Sequence, residues 1–169
     1  MTNFNNIEET LELFSKGKMI IVVDDENREN EGDFIIAADK VEIEDITFMI
    51  NEGKGLLCMP ITQKTATRLE LEPMLSKYSP LHETAFTMSV DAIKNCTTGI
   101  SSSDRYNTIK TILNKKSIPS DLARPGHMFP LVAKEGGVLV RAGHTEAAVD
   151  LAMLSGCDPS AVIVEIVDE

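Results

Sequence analysis

The chain has 169 residues, 43% of them hydrophobic, which is enough for one packed core and excludes disorder over most of its length. Its 27 acidic against 16 basic side chains give a formal net charge of −11, which argues against a nucleic-acid binder but not against an anionic substrate gripped by a few local donors. Three well-separated cysteines without zinc spacing, a polar N-terminus without a signal-peptide pattern and no bilayer-length apolar run set the expectation of a cytoplasmic protein with no disulfide framework and no membrane partner.

Ile7, Leu11 and Phe14 recur at helical spacing, which predicts a helix near residues 5–16 stopped by Gly17. Met19–Val23 reads as a short buried strand and Phe34–Ala38 as another, separated by the polar run Asp24–Asp33. Ile43–Asn51 reads as a helix ended by Gly53, Leu56–Met59 as a strand closed by Pro60, and Thr62–Leu69 as a helix with Thr62 as its cap. Residues 72–83 read as a loop and Thr84–Val90 as a strand. Ser101-Ser102-Ser103-Asp104 fits a capping box ahead of the apolar face Tyr106, Ile109, Ile112 and Leu113. Arg124-Pro125-Gly126-His127 reads as a non-helical loop, and Leu131–Ala133 with Val138–Val140 as a hairpin around Glu135-Gly136-Gly137. Thr145–Leu154 is a predicted helix and Ala161–Val167 a last strand. The interleaving predicts one domain over residues 1–169 of α+β class, a mixed α/β sandwich: a mixed sheet with at least one antiparallel hairpin and helices packed on it.

Four segments carry candidate chemistry. In the acidic run, an extended backbone would put Glu29, Glu31 and Asp33 on one side. Such carboxylates repel unless a cation intervenes, and hard oxygen ligands suit magnesium or manganese. A metal site and a solvated loop stand level on these residues. Arg141-Ala142-Gly143-His144-Thr145-Glu146 follows a strand and opens a helix, where free N–H groups and a guanidinium would suit a phosphate; an ordinary capped helix with Thr145 as cap is the plainer alternative. His127 in its loop is either an exposed histidine or a proton-transfer group. Glu165, an acid in the apolar stretch Val162–Val167, either faces solvent from an edge strand or is a buried acid–base group.

These segments occur together and in order: Asp24–Asp33, Thr84-Ala85-Phe86-Thr87, Thr97–Ser101 with Asp104-Arg105, Ser120-Asp121-Leu122, Arg124–His127 and Gly136–Ala147. On them the chain strongly resembles the 3,4-dihydroxy-2-butanone 4-phosphate synthase family, from about Gly17 to Glu165. The resemblance implies a divalent-metal-dependent lyase of riboflavin biosynthesis. Its reaction turns D-ribulose 5-phosphate into L-3,4-dihydroxy-2-butanone 4-phosphate and formate, through an enediolate, a skeletal rearrangement and carbon–carbon cleavage. It implies a homodimer with active sites near the subunit interface and two magnesium (or manganese) ions per site. On the matching positions Glu29 and His144 would be metal ligands. Arg28, Glu29, Asp33, Arg141, Ala142, Gly143, His144, Thr145 and Glu165 would contact substrate, and His127 and Glu165 would be the two residues essential for catalysis. Two departures stand out: a C-terminal tail shorter than usual for the family, and a different stretch at 77–83. The rival expectations are a phosphosugar isomerase that stops at the enediolate, which releases no formate, and a non-catalytic binding form, which binds without turnover.

Overall fold

The computed structural model describes residues 4–74 and 84–168. Six strands form one sheet: β1 (Ile20–Val23), β2 (Gly32–Ala37), β3 (Cys58–Ile61), β4 (Val90–Ala92), β5 (Leu122–Val132) and β6 (Ala161–Glu165), in the order β1-β2-β6-β3-β5-β4. Only β3 and β5 run parallel; every other neighbouring pair is antiparallel. The helices are α1 (Ile7–Ser15), α2 (Ile43–Phe48), α3 (Gln63–Arg68), α4 (Ser102–Leu113) and α5 (His144–Leu154).

The central strands are apolar at consecutive positions because both faces of the sheet are covered. Side chains alternate along each strand, so β2 and β6 feed two cores at once. Ile36, Val162 and Val164 join Ile46 of α2 and Ile109 and Ile112 of α4 on one face. Ile35, Ala37, Ala161 and Ile163 join Phe14 of α1 and Ala148, Leu151 and Ala152 of α5 on the other. The result is the expected mixed sandwich, with helices on both sides of a mixed sheet.

The local signals account for most helix starts. Asn6 accepts from the Glu9 N–H, Thr62 from Thr65 and Ser101 from Asp104, each capping orphan donors of the first turn. The predicted helix through Asn51 is α2 up to Phe48 and then a π-turn over Met49–Gly53, closed by left-handed Lys54.

Four expectations are corrected. The antiparallel hairpin lies at β1–β2, folded around the acidic run, and not at Glu135-Gly136-Gly137. There the two glycines take positive φ and lead into a 3-10 turn over Gly137–Leu139, because the Val138 N–H donates to Asp150 Oδ2 of α5 instead of to a strand. Arg124-Pro125-Gly126-His127 is not a loop but lies within β5. Proline and glycine fit there because these four residues bulge out of the β4 register, between Ala123 opposite Asp91 and Met128 opposite Val90, and a Cβ at Gly126 would collide with the Val90–Asp91 backbone. Thr84–Val90 pairs only through isolated bridges at Phe86 and Thr87 before β4 begins at Val90. Last, β6 ends at Glu165 rather than Val167. The predicted loop at 72–83 and the family departure at 77–83 fall wholly or mainly outside the described residues. None of the helices among the described residues is long and apolar enough to cross a membrane. The cysteines Cys58, Cys96 and Cys157 are free thiols.

Candidate functional site

One face of the sheet is left uncovered where α5 begins. Asp33 of β2 lies directly opposite Glu165 of β6, so both side chains point to the same side as Ile35 and Ile163, toward the N-terminus of α5. A cleft of about 370 Å³ opens there, bordered by Arg28, Glu29, Glu31, Arg141, His144 and Thr145 as well as Asp33 and Glu165. Leu56, Cys58, Phe86 and Leu131 form its apolar wall.

The acidic run is not extended as expected from its alternation; it turns back on itself over residues 26–29. Asp24 holds that turn. Its carboxylate accepts from the backbone N–H groups of Glu29 (3.1 Å) and Glu31 (2.9 Å) and from Arg28 Nη1 (2.6 Å). Burial opposes the charge on Asp24. The Glu31 N–H, the Arg28 guanidinium, the Glu29 N–H and the nearby His144 together outweigh it and keep this carboxyl below the usual range. Arg28 Nη1 also donates to Glu29 Oε2 at 2.6 Å.

Opposite the turn, His144 is the first residue of α5 and is buried. Its Nδ1 lies 3.9 Å from Asp33 Oδ1 and 4.0 Å from Glu29 Oε2. Asp24, Glu29 and His144 each offer a ligand atom within 4.8 Å of the other two. Asp33 Oδ1 and His144 Nε2 are buried without a hydrogen-bond partner, a costly arrangement unless something else satisfies them. Burial, then the charges of Glu165, Glu31, Glu29 and Asp24, push the Asp33 carboxyl up to about 7. Several carboxylates and an imidazole, with Asp33 Oδ1 and His144 Nε2 left unpartnered among them, make a donor set that fits a hard divalent cation.

The approach to α5 adds an arginine to the cleft. Arg141 Nη1 donates to Glu146 Oε2 at 2.7 Å and Nη2 to Thr84 Oγ1 at 3.1 Å. Glu146, almost completely buried in the first turn of α5, also accepts the Lys134 N–H through Oε1 at 2.9 Å. Ala142 and Gly143 link Arg141 to the helix, and Gly143 is its N-cap, so Thr145 is not the cap. The first-turn N–H groups of α5 therefore open beside the guanidinium.

Glu165 ends β6, where its backbone carbonyl accepts the Gly55 N–H and its Oε2 accepts from Leu56 N at 3.4 Å. Residues beyond it are also tied down: the Ile166 N–H donates to the Gly32 carbonyl and the Val167 N–H to the Gly53 carbonyl. Cys58 lines the cleft, but burial, and then the charges of Glu165 and Asp33, push its thiol up, so it stays protonated and acts as wall.

The structure thus brings together Arg28, Glu29, Asp33, Arg141, His144, Thr145 and Glu165. His127 is not among the described residues that line the cleft. It precedes Leu131 on β5 by four positions, roughly 13 Å at a rise of about 3.3 Å per residue, and its ring pairs with Asp91. Sequence reasoning missed Asp24 and Glu146. Asp24 was legible as the first polar residue after a strand, just ahead of a turn, where Asp side chains bind backbone N–H groups. Glu146 carried no signal beyond its place in a helix's first turn.

Residues 8–169 match the family of 3,4-dihydroxy-2-butanone 4-phosphate synthases. The riboflavin biosynthesis protein RibBA of Bacillus mycoides is 58% identical over 166 residues, 98% of this chain and 42% of that protein. RibBA of Bacillus cytotoxicus is 56% identical over the same shares. The chain therefore spans less than half the length of these relatives. Among solved structures, a 3,4-dihydroxy-2-butanone 4-phosphate synthase in complex with two magnesium ions superposes with a TM-score of 0.94 at 44% identity, over 98% of this chain and 77% of the other. The two-domain synthase RibBX from A. baumannii gives 0.92 at 43% identity, over 98% of this chain and 48% of its own.

Proposed function

The chain belongs to the 3,4-dihydroxy-2-butanone 4-phosphate synthase family, and from that premise we propose that it converts D-ribulose 5-phosphate to L-3,4-dihydroxy-2-butanone 4-phosphate and formate in riboflavin biosynthesis. One observation carries the proposal: Asp24, Glu29 and His144 converge within 4.8 Å, beside the orphaned Asp33 Oδ1, in a cleft that Arg141 also lines. Glu29 and His144, with Asp24, hold the divalent ions, two magnesium or manganese. When bound, these supply the positive charge that lets a ketose lose its C3 proton with the electrons held on adjacent oxygens.

The residues of the chain do the rest. Arg141, held rigid by Glu146 and Thr84, grips the phosphate together with the N–H groups that open α5 at Gly143, His144 and Thr145. Arg28 and Asp33 contact the sugar hydroxyls. Glu165 stands at the mouth of the cleft, opposite Asp33, and moves protons to and from the carbon skeleton. His127 is the second proton-transfer residue. Because it lies off its own cleft, it acts in a homodimer, on the substrate held by the partner subunit. The β4–β5 edge that carries it also exposes Ile93, and Ile100 follows the loop packed on it. We place the reaction in the cytoplasm.

The test is formate release from ribulose 5-phosphate in magnesium buffer. Release should stop with EDTA and resume with excess magnesium. Glu29→Gln should lose at least ~100-fold in turnover. Conversion of the pentulose without formate would identify an isomerase instead, and binding without any conversion a non-catalytic protein.

A further inference from the structure

The geometry points to Asp91 as the positioning residue that fixes the tautomer of His127, with Gly99 as the cover that locks the pair. The inference rests on the proton-transfer role given to His127 above. Asp91 Oδ2 lies 2.7 Å from His127 Nδ1, and Asp91 Oδ1 accepts the backbone N–H of the same histidine at 2.8 Å. One carboxylate thus grips both the ring and the main chain of His127. A carboxylate offers only acceptors, so the ring proton sits on Nδ1 and Nε2 keeps its lone pair. Nε2 is then the atom that takes a proton from substrate, and the imidazolium so formed faces the Asp91 charge.

Gly99 shows that the pair is built in. A Cβ at this position would collide with Asp91 Oδ2 and lie 2.7 Å from His127 Nδ1. Its φ of +90° also disfavours any other residue. The loop that carries Gly99 is held by buried Asp104, whose carboxylate accepts from Thr97 N (3.0 Å), Thr97 Oγ1 (2.8 Å) and Gly99 N (3.0 Å). Those donors, led by the Thr97 N–H, hold Asp104 below the usual carboxylate range. A chain of contacts therefore runs from α4 through the Thr97–Gly99 loop to Asp91 and on to His127. None of these groups borders the cleft of its own chain.

The experiment uses ring-¹⁵N-labelled intact protein. The chain has three histidines, so the His127 imidazole resonances are assigned by comparison with His127→Ala. Wild type should show the proton on Nδ1. Asp91→Asn keeps an acceptor for the His127 N–H but turns an amide N–H₂ toward Nδ1, so the proton should move to Nε2. With it, kcat for formate release should fall by on the order of 10²–10⁴-fold while KM stays within about threefold. Gly99→Ala, which displaces the Asp91 carboxylate without removing it, should disturb the same resonances. An unchanged tautomer in Asp91→Asn, or an undiminished kcat, overturns the inference. Should wild type release no formate, the reaction assigned above falls, while the imidazole resonances still decide for or against the pairing by themselves.

Discussion

At the scale of single residues, Asp33 carries the largest consequence. Its carboxyl is pushed from the ordinary 3.8 to about 7, first by burial and then by four other carboxylates. A carboxyl raised on folding binds its proton more tightly in the folded chain. Its contribution to stability is therefore complete below the unfolded value and is lost as pH rises through about 7, a change of at most about 4 kcal/mol. Asp24 runs the other way, since its carboxyl is lowered; its stabilisation is present above the unfolded value and disappears only in stronger acid. Between pH 5 and 8 the Asp33 trend is the one expected in EDTA. The urea midpoint of the metal-free protein should fall across that range, and Asp33→Asn should flatten the fall. Saturating magnesium should flatten it as well, because a cation compensates the charge that burial leaves exposed to its neighbours. A flat profile in EDTA would mean that Asp33 is stabilised as a carboxylate by some other group.

At the scale of elements, the β-strands that feed both cores were legible because their residues are apolar without interruption, as Ile163-Val164 of β6 illustrates. The helices were legible from their caps, Thr62 and Ser101 among them. Two elements were not. The stretch Val138-Leu139-Val140 has the composition of a strand, yet Leu139 is 94% exposed, because the turn before it is fixed by an acid on α5 that lies twelve positions further on. Arg124–His127 reads as a loop on composition and lies within β5 as a bulge, held between Ala123 opposite Asp91 and Met128 opposite Val90 of β4. In both cases the deciding partner is remote in sequence, so local propensity had no access to it. The site follows the same rule. Glu29 and Arg141 stood out by residue type and His144 as a metal ligand only through the family resemblance, whereas Glu146 did not stand out, since its side chain holds another side chain. That function gives a prediction for α5. Glu146→Gln retains an acceptor for the Lys134 N–H but removes the charge facing Arg141. The guanidinium should lose its fixed direction, and KM for ribulose 5-phosphate should rise about tenfold with a smaller change in kcat. A fall in kcat at constant KM would instead place Arg141 in the chemical step.

At the scale of the whole molecule, the chain carries a carboxylate–imidazole cluster and Arg141 in one cleft, and a carboxylate-paired histidine elsewhere. The carboxylate-rich turn and the start of α5 meet at the end of the sheet where β2 and β6 place buried Asp33 opposite exposed Glu165. His127, held by Asp91, stands on the β4–β5 edge, and a single copy does not place it in that cleft. A dimer of two identical chains can satisfy both sites at once, since a two-fold contact that brings one His127 to the partner's cleft also brings the second to the first. This arrangement makes a quantitative prediction. Glu29→Gln and His127→Ala should each be inactive alone. When the two are mixed, unfolded and refolded together in equal amounts, about half of the dimers contain one copy of each. In every such dimer one cleft has an intact donor set and receives an intact histidine, while the other lacks both. Formate release should therefore recover to roughly a quarter of the wild-type rate. Recovery should be absent when either variant is refolded alone or when the two are mixed without subunit exchange. If co-refolding restores nothing although mixed dimers are present by mass spectrometry, each active site draws all its residues from one chain, and His127 must reach its own cleft by a movement of β5.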